Sequence, residues 1–114
     1  MDIMPLALAR FAATYLASLD DLKVLARCVE ERDRWHDAPA IARTLRMPRS
    51  AARTALDRLT RSNLLDIRIT GDVRYRFRPG TSALETQALA LVNAYRRNPT
   101  QASEAIRDKE ATSG

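Results

Sequence analysis

The chain has 114 residues, of which 46% are hydrophobic and 29% are charged, and its formal net charge is +5. These values predict a single domain with its own hydrophobic core and exclude a low-complexity chain. Cys28 and His36 are the only residues of their types, which excludes an intrachain disulfide and a Cys/His zinc site within one chain.

The first apolar stretch is predicted to be a packed helix and not a targeting segment. Asp2 stands where a signal peptide carries positive charge, and Arg10 interrupts the apolar residues. The stretch is also too short to span a bilayer, so we expect a cytoplasmic protein without a membrane segment. Apolar residues recur at helical spacing and predict one helix from Pro5 to Ala17.

A second helix and a short extended segment are predicted next. Ser18 and Asp21 form a capping-box pattern, which predicts a helix that begins at Leu19. Cys28 falls on the apolar side of this helix, so we expect it to be a buried small hydrophobe and not a redox group. Trp35 follows the polar end of the helix and is predicted to fill the core from a short extended segment.

Two further helices are predicted on either side of a tight turn. Asp37 is a good N-cap, with Pro39 in the first turn of the helix that it starts. Met47-Pro48 ends this helix, and Arg49 to Ser62 forms the next one. Asn63 can adopt the left-handed conformation that ends a helix. The side chains predicted to face inward are Ile41, Ala42, Leu45, Ala52, Ala55, Leu56 and Leu59.

A β-hairpin is predicted after these helices, because apolar and polar residues alternate on both sides of residues 70–72. The apolar residues share one face only if 70–72 is a three-residue turn. The pairs are then Leu65–Phe77, Ile67–Tyr75 and Ile69–Val73, with Asp66 opposite Arg76 and Arg68 opposite Arg74 on the outer face. Like charges directly opposite each other are mildly destabilising. Either a phosphate or the minor groove relieves this repulsion, or both side chains extend into water.

The C-terminal part predicts two helices. Ser82 and Glu85 form another capping-box pattern, and Asn98-Pro99 ends the helix that follows. A last, mostly polar helix is predicted over 100–109, with frayed residues at 111–114. The apolar stripe of the first of these two helices consists of Leu84, Ala88, Leu91, Val92 and Tyr95.

Positive charge is concentrated between Ala38 and Pro79. This segment contains ten arginines and three aspartates, which gives it a formal charge of +7. Because the whole chain carries +5, the remainder sums to −2. A local basic field on a helix–turn–helix–hairpin frame is typical of a protein that reads duplex DNA.

The stretch DAPAIARTLRMPRSAARTALDRLTRSNLL, from Asp37 to Leu65, resembles the core of bacterial winged helix–turn–helix regulators of the MarR-like kind. The resemblance covers residues 19–79. It rests on Ile41-Ala42, Leu45, Met47, Ala52, Leu56, Leu59 and the closing Asn63-Leu64-Leu65. Asn63 stands where such families commonly have glycine. The chain is also short for a MarR-like protein, so we expect the effector-binding cleft to be reduced or absent, and no residue identifies an effector.

The resemblance implies a mainly α fold with a small β-hairpin wing. It forms a winged helix–turn–helix with a flanking N-terminal helix (1–18) and C-terminal helices (80–110) in one domain over 1–114. The flanking helices are compatible with a homodimer. Candidate interface residues are Leu84, Leu91, Val92 and Tyr95 on one helix and Phe11 and Tyr15 on another. The alternative is that these residues pack onto their own core.

Function follows from the same resemblance: a sequence-specific duplex-DNA-binding transcriptional regulator. The recognition helix (49–62) would enter the major groove, and the wing (65–78) would contact the minor groove or the backbone. Arg49 and Arg53 are the predicted base readers, supported by Ser50 and Thr54, because arginine binds guanine O6 and N7 bidentately. The remaining predicted DNA-binding residues are Asp57 on the outward face, Arg43 and Arg58 at phosphates, and Arg68, Arg74 and Arg76 on the wing.

The alternatives to DNA binding are a winged helix that binds proteins and an enzyme. In a winged helix that binds proteins within a transcription complex, the same arginines would contact carboxylates. An enzyme is not expected, because the sequence offers no catalytic constellation, no Gly-rich phosphate loop and no residue set for a cofactor or metal. For each single arginine, a solvated helix face is the alternative to a DNA contact.

Overall fold

Six helices and one hairpin form the part of the chain that the computed structural model describes, residues 5–113, with side chains described up to residue 106. This arrangement confirms the mainly α fold with a small hairpin. The elements are α1 (Leu6–Tyr15), α2 (Leu19–Glu30), α3 (Ala38–Leu45), α4 (Arg49–Arg61), β1 (Leu65–Thr70), β2 (Asp72–Phe77), α5 (Ser82–Arg97) and α6 (Pro99–Ser113).

Side-chain caps begin two of the helices at the predicted residues. The Ser18 hydroxyl accepts the Asp21 backbone N–H at 3.4 Å at the start of α2. The Asp37 carboxylate accepts the Ala40 backbone N–H at 2.8 Å at the start of α3. Each cap satisfies a backbone donor that has no partner inside the helix, which fixes where the helix begins.

The start of α5 differs from the prediction by one residue. Thr81 is the cap, because its hydroxyl accepts the Leu84 backbone N–H at 3.1 Å. Ser82 is already the first helical residue. Glu85 forms an ion pair with Arg32 and does not close a capping box. Adjacent threonine and serine are both good caps, so the sequence pattern did not distinguish them.

The last helix is longer than predicted. Asn98 is the single residue between α5 and α6, and its side chain accepts the Gln101 backbone N–H at 3.1 Å, so it caps α6. Helix α6 begins at Pro99 and continues to Ser113. Residues 111–113, which the sequence predicted to be frayed, thus lie within this helix, and Gly114 lies outside the described residues.

The core lies around α2, which packs against α3, α4, α5, α6 and β2. Helix α1 ends at Tyr15, earlier than predicted, because Leu16 has extended backbone and is itself buried. The predicted inward residues of α3 and α4 are confirmed as buried, except Leu45, which is partly buried. The largest fully buried side chains include Leu22, Leu25, Ile41, Leu56, Leu59, Leu64, Tyr75 and Leu91.

The flanking helices pack onto the chain's own core. Helix α1 contacts α5 and α6, and α5 also contacts α2. Phe11, Leu91 and Val92 are buried within the chain, while Tyr15 and Tyr95 are partly buried against the same core. For the buried residues, the alternative of packing within one chain is therefore the observed arrangement. The homodimer itself stays a prediction.

The hairpin has the predicted register. Leu65 lies opposite Phe77, Ile67 opposite Tyr75 and Ile69 opposite Val73. Gly71, with a φ of 90°, is the turn residue between the paired Thr70 and Asp72. Residues with a side chain rarely adopt such a positive φ, which explains why glycine occupies this position.

A short third segment extends the hairpin on the free side of β2. His36 and Tyr75 exchange two backbone hydrogen bonds, at 2.7 and 2.8 Å. His36 is buried, and Trp35 is only half-buried, so the prediction that Trp35 fills the core is wrong. The reason is the alternation of side chains along extended backbone: His36 shares the inner face with Tyr75, which places Trp35 on the outer face.

The base of the hairpin is fixed on both sides. Asn63 has the predicted left-handed backbone, with a φ of 67°. Its carbonyl accepts the Gly80 N–H at 2.9 Å, and the Leu64 carbonyl accepts the Arg78 N–H at 3.2 Å. A Cβ atom on Gly80 would overlap the Asn63 side chain. The residues that follow β2 are therefore in contact with the residues that precede β1.

The Cys28 thiol is fully buried, as predicted, and burial raises its pKa from 9.0 to about 12. We expect Ellman's reagent to react far more slowly with the folded protein than with protein in denaturing guanidinium. Equal reaction rates in the folded and unfolded protein would contradict this expectation.

The Cys28 thiol ionises at a lower pH in the unfolded protein than in the folded protein. The free energy of unfolding should therefore decrease as pH rises from about 9 to about 12, and this decrease should be absent in Cys28→Ala.

Candidate nucleic-acid interface

The first two turns of α4 present four polar side chains on one face. Arg49, Ser50, Arg53 and Thr54 are all exposed. Residues at this spacing share a helix face. The opposite face is anchored by buried Ala52, Ala55, Leu56 and Leu59. The structure thus brings together four of the residues that the sequence assigned to DNA contact.

Asp57 continues this face but has two partners within the chain. The Tyr75 hydroxyl donates to Asp57 Oδ1 at 2.5 Å, and Arg53 Nε lies 3.8 Å from Asp57 Oδ2. Burial, together with the hydrogen bond to Asp57, raises the pKa of Tyr75 to about 12. Asp57 therefore connects the exposed face of α4 with β2, a contact that the sequence pattern did not reveal.

Arg58 lies on a different side of α4. Its guanidinium pairs with both carboxylate oxygens of Asp21, at 3.0 and 3.1 Å. The Asp21 side chain is 0% exposed and the Arg58 side chain 33%. Asp21 also accepts the Ala17 backbone N–H at 2.8 Å. The structure therefore gives Arg58 a partner that holds α4 to α2, whereas the sequence assigned Arg58 to a phosphate.

The outer face of the hairpin carries the wing arginines, and each has a partner. The guanidinium carbons of Arg68 and Arg76 lie 4.6 and 4.5 Å from the centre of the Trp35 ring. Arg74 Nε contacts Asp72 Oδ2 at 2.9 Å, and this contact lowers the pKa of Asp72. The facing arginines 68 and 74 thus gain an aromatic ring and a carboxylate, respectively.

Five other arginines of the basic segment have no carboxylate within 4.0 Å among the described residues. They are all exposed. Three of them, Arg43, Arg46 and Arg49, lie around the turn between α3 and α4, where Arg46 has a left-handed φ of 54°. Their charges produce a concentrated positive field at this turn, of the kind that attracts phosphates. The five residues are Arg43, Arg46, Arg49, Arg61 and Arg78.

A groove of about 320 Å³ separates the start of α4 from the hairpin. Its walls carry apolar, basic and acidic side chains, namely Ala38, Pro39, Val73, Tyr75, Arg49, Arg53, Asp37 and Asp72. The groove therefore lies between the exposed face of α4 and the hairpin, with guanidinium groups beside both apolar groups and carboxylates.

Among the described residues, no group of three His, Cys, Asp or Glu side chains is placed to hold a metal ion. Within those residues, no helix combines the length and the apolar character needed to cross a membrane. The basic surface around α4 is the site that the side chains define best.

Comparisons with protein-family models, with curated proteins and with solved structures give no match to this chain.

Proposed function

We propose that this chain is a cytoplasmic transcriptional regulator that binds duplex DNA through a winged helix–turn–helix. The order of elements supports this assignment: α2, the bridging segment at His36, α3, α4 and then the β1–β2 hairpin. In such an arrangement α4 is the recognition helix and the hairpin is the wing. Helices α1, α5 and α6 flank this unit.

The observation that carries the proposal is the exposed face at the start of α4. Arg49 and Arg53 place two guanidinium groups one helical turn apart, with Ser50 and Thr54 beside them. A recognition helix presents its N-terminal residues to base edges in the major groove. Arginine there can bind guanine bidentately, and the hydroxyls can reach bases or phosphates.

Phosphate contacts are assigned to the arginines around the α3–α4 turn, Arg43 and Arg46. Arg58 is assigned to the contact between α2 and α4 instead, because Asp21 already binds its guanidinium. At the hairpin, Arg68, Arg74 and Arg76 would approach the backbone or the minor groove. Ile69 lies beside the turn, on the same hairpin face as Tyr75, and is highly exposed. It would contact deoxyribose in the minor groove.

The direct test is selection from a pool of random duplexes at low and moderate salt, followed by sequencing of the retained DNA. We expect retention that falls steeply with salt, because bound arginines release counterions from the phosphates. We also expect an enriched sequence motif, which is palindromic if the protein binds as a homodimer.

Two other outcomes have definite meanings. Retention without an enriched motif would show a nonspecific DNA binder and contradict the proposed base reading. No retention even at low salt would contradict DNA binding altogether. It would favour the protein–protein alternative, in which the basic surface contacts carboxylates.

A further inference from the structure

We infer that Asp57, locked by Tyr75, is a positioning residue that aims the Arg53 guanidinium at a guanine in the major groove. This inference rests on the proposed function and names the base that Arg53 reads. Asp57 would then set sequence preference through Arg53, without contacting DNA itself.

The Asp57 carboxylate is held by a hydrogen bond from the hairpin. Tyr75 is buried in the core, and its hydroxyl donates to Asp57 Oδ1 at 2.5 Å. One oxygen of Asp57 is thereby tied to the wing strand, which restricts rotation of the carboxylate. The second oxygen, Oδ2, faces Arg53 Nε at 3.8 Å, within ion-pair range.

Arg53 keeps part of its guanidinium free for another partner. Its side chain is 68% exposed, and the contact with Asp57 involves Nε. The two terminal nitrogens are left as a planar fork, which matches the paired O6 and N7 acceptors of guanine. Adenine offers a donor at the position of guanine O6, so the same fork discriminates against it.

The negative charge of Asp57 opposes the approach of DNA. A lone carboxylate on a DNA-facing surface repels phosphates, so Asp57 would weaken binding unless it served another group. Paired to Arg53 and hydrogen-bonded by Tyr75, it restricts an arginine that otherwise loses much rotamer freedom on binding. Its benefit therefore appears as discrimination between bases, while its charge lowers affinity for DNA in general.

The test compares Asp57→Asn with Asp66→Asn on the duplex selected by the wild-type protein. Asp66 is a matched control, because it pairs with Arg76 at the same 3.8 Å and its side chain is 42% exposed, against 40% for Asp57. Each variant removes one negative charge. Fluorescence anisotropy would give the dissociation constant for all four base pairs at each motif position.

We expect Asp57→Asn to lower the preference for guanine about tenfold at the position where Arg53→Ala also loses it. Asp66→Asn should leave that preference unchanged. The double variant Arg53→Ala/Asp57→Asn should discriminate no worse than Arg53→Ala alone, because both changes remove the same contact. Tyr75→Phe should weaken the preference at the same position, and 7-deazaguanine there should weaken wild-type binding by removing the N7 acceptor.

Three outcomes would overturn the inference while leaving DNA binding intact: an Asp57→Asn variant that keeps its guanine preference, equal losses in the two Asp→Asn variants, or additive losses in the double variant. Circular dichroism and melting of each variant separate these outcomes from misfolding, and a misfolded Asp57→Asn leaves Tyr75→Phe as the deciding variant. Failure of the wild-type protein to retain any duplex would overturn the proposed function and this inference together.

Discussion

Arg53→Ala is expected to weaken binding to the selected duplex about 10- to 100-fold, because one bidentate contact with a base discriminates by about 1–3 kcal/mol. The loss should be largest for the preferred sequence and much smaller for unrelated duplexes. Arg53 is highly exposed, and its neighbours Ala52, Ala55 and Leu56 form the buried side of α4, so the fold should be retained. Titration by fluorescence anisotropy with specific and unrelated duplexes measures both losses.

Arg61→Ala is the matched control for Arg53→Ala. Arg61 is exposed at the other end of α4 and has no carboxylate partner among the described residues. The substitution removes the same charge from the same helix, but Arg61 lies far from the proposed base contacts. We expect at most a modest loss, similar for all duplexes, as for a general electrostatic contribution. Equal, sequence-dependent losses for both variants would contradict the assignment of the N-terminal half of α4 to base reading.

The largest expected effect on stability comes from Asp21→Ala. This change removes a fully buried carboxylate that binds Arg58 and also accepts the Ala17 and Ser18 donors. Breaking a buried ion pair costs about 3–5 kcal/mol. We expect about 3 kcal/mol, because the Arg58 side chain can turn partly to water. For a chain of this size the melting temperature should fall by about 10 °C or more.

Asp20→Ala is the control for this measurement. Asp20 lies beside Asp21 in the first turn of α2, and both are acidic residues near the helix N-terminus. Loss of a favourable charge–dipole interaction alone costs at most about 1 kcal/mol. Thermal or urea unfolding of the two variants therefore measures the combined contribution of the contacts that the Asp21 carboxylate makes with Arg58, Ala17 and Ser18. If the two variants melt alike, these buried contacts of Asp21 do not stabilise the fold.

Local features of the fold could be predicted because short stretches of sequence determine them. Alternating apolar residues had to share one face, which fixed the register from Leu65–Phe77 to Ile69–Val73. The stop at Asn63 and the cap at Asp37 depend on each residue's own backbone preference and hydrogen bonds. In each case the relevant interaction lies within a few residues along the chain or follows from one repeating pattern.

Long-range contacts could not be predicted in the same way. Arg58 meets Asp21 from 37 residues away, and the Tyr75 hydroxyl meets Asp57 from 18 residues away. The placement of Trp35 depends on the pairing of its neighbour His36 with β2, which no local sequence pattern predicts. The exposed face of α4 was predictable from periodicity, but the partners of its individual side chains depend on how the elements pack.

The contacts at the base of the hairpin have a consequence for how the protein would meet DNA. A backbone hydrogen bond from Gly80 to Asn63 joins the residues after β2 to the end of α4, and the base of the hairpin cannot move away from α4 without breaking it. The spacing between the end of α4 and the base of the hairpin is therefore part of the fold itself. A binding surface that is already in place loses little conformational entropy on association. Duplexes whose groove spacing fits this fixed distance should be preferred over equally charged duplexes that must deform to match it.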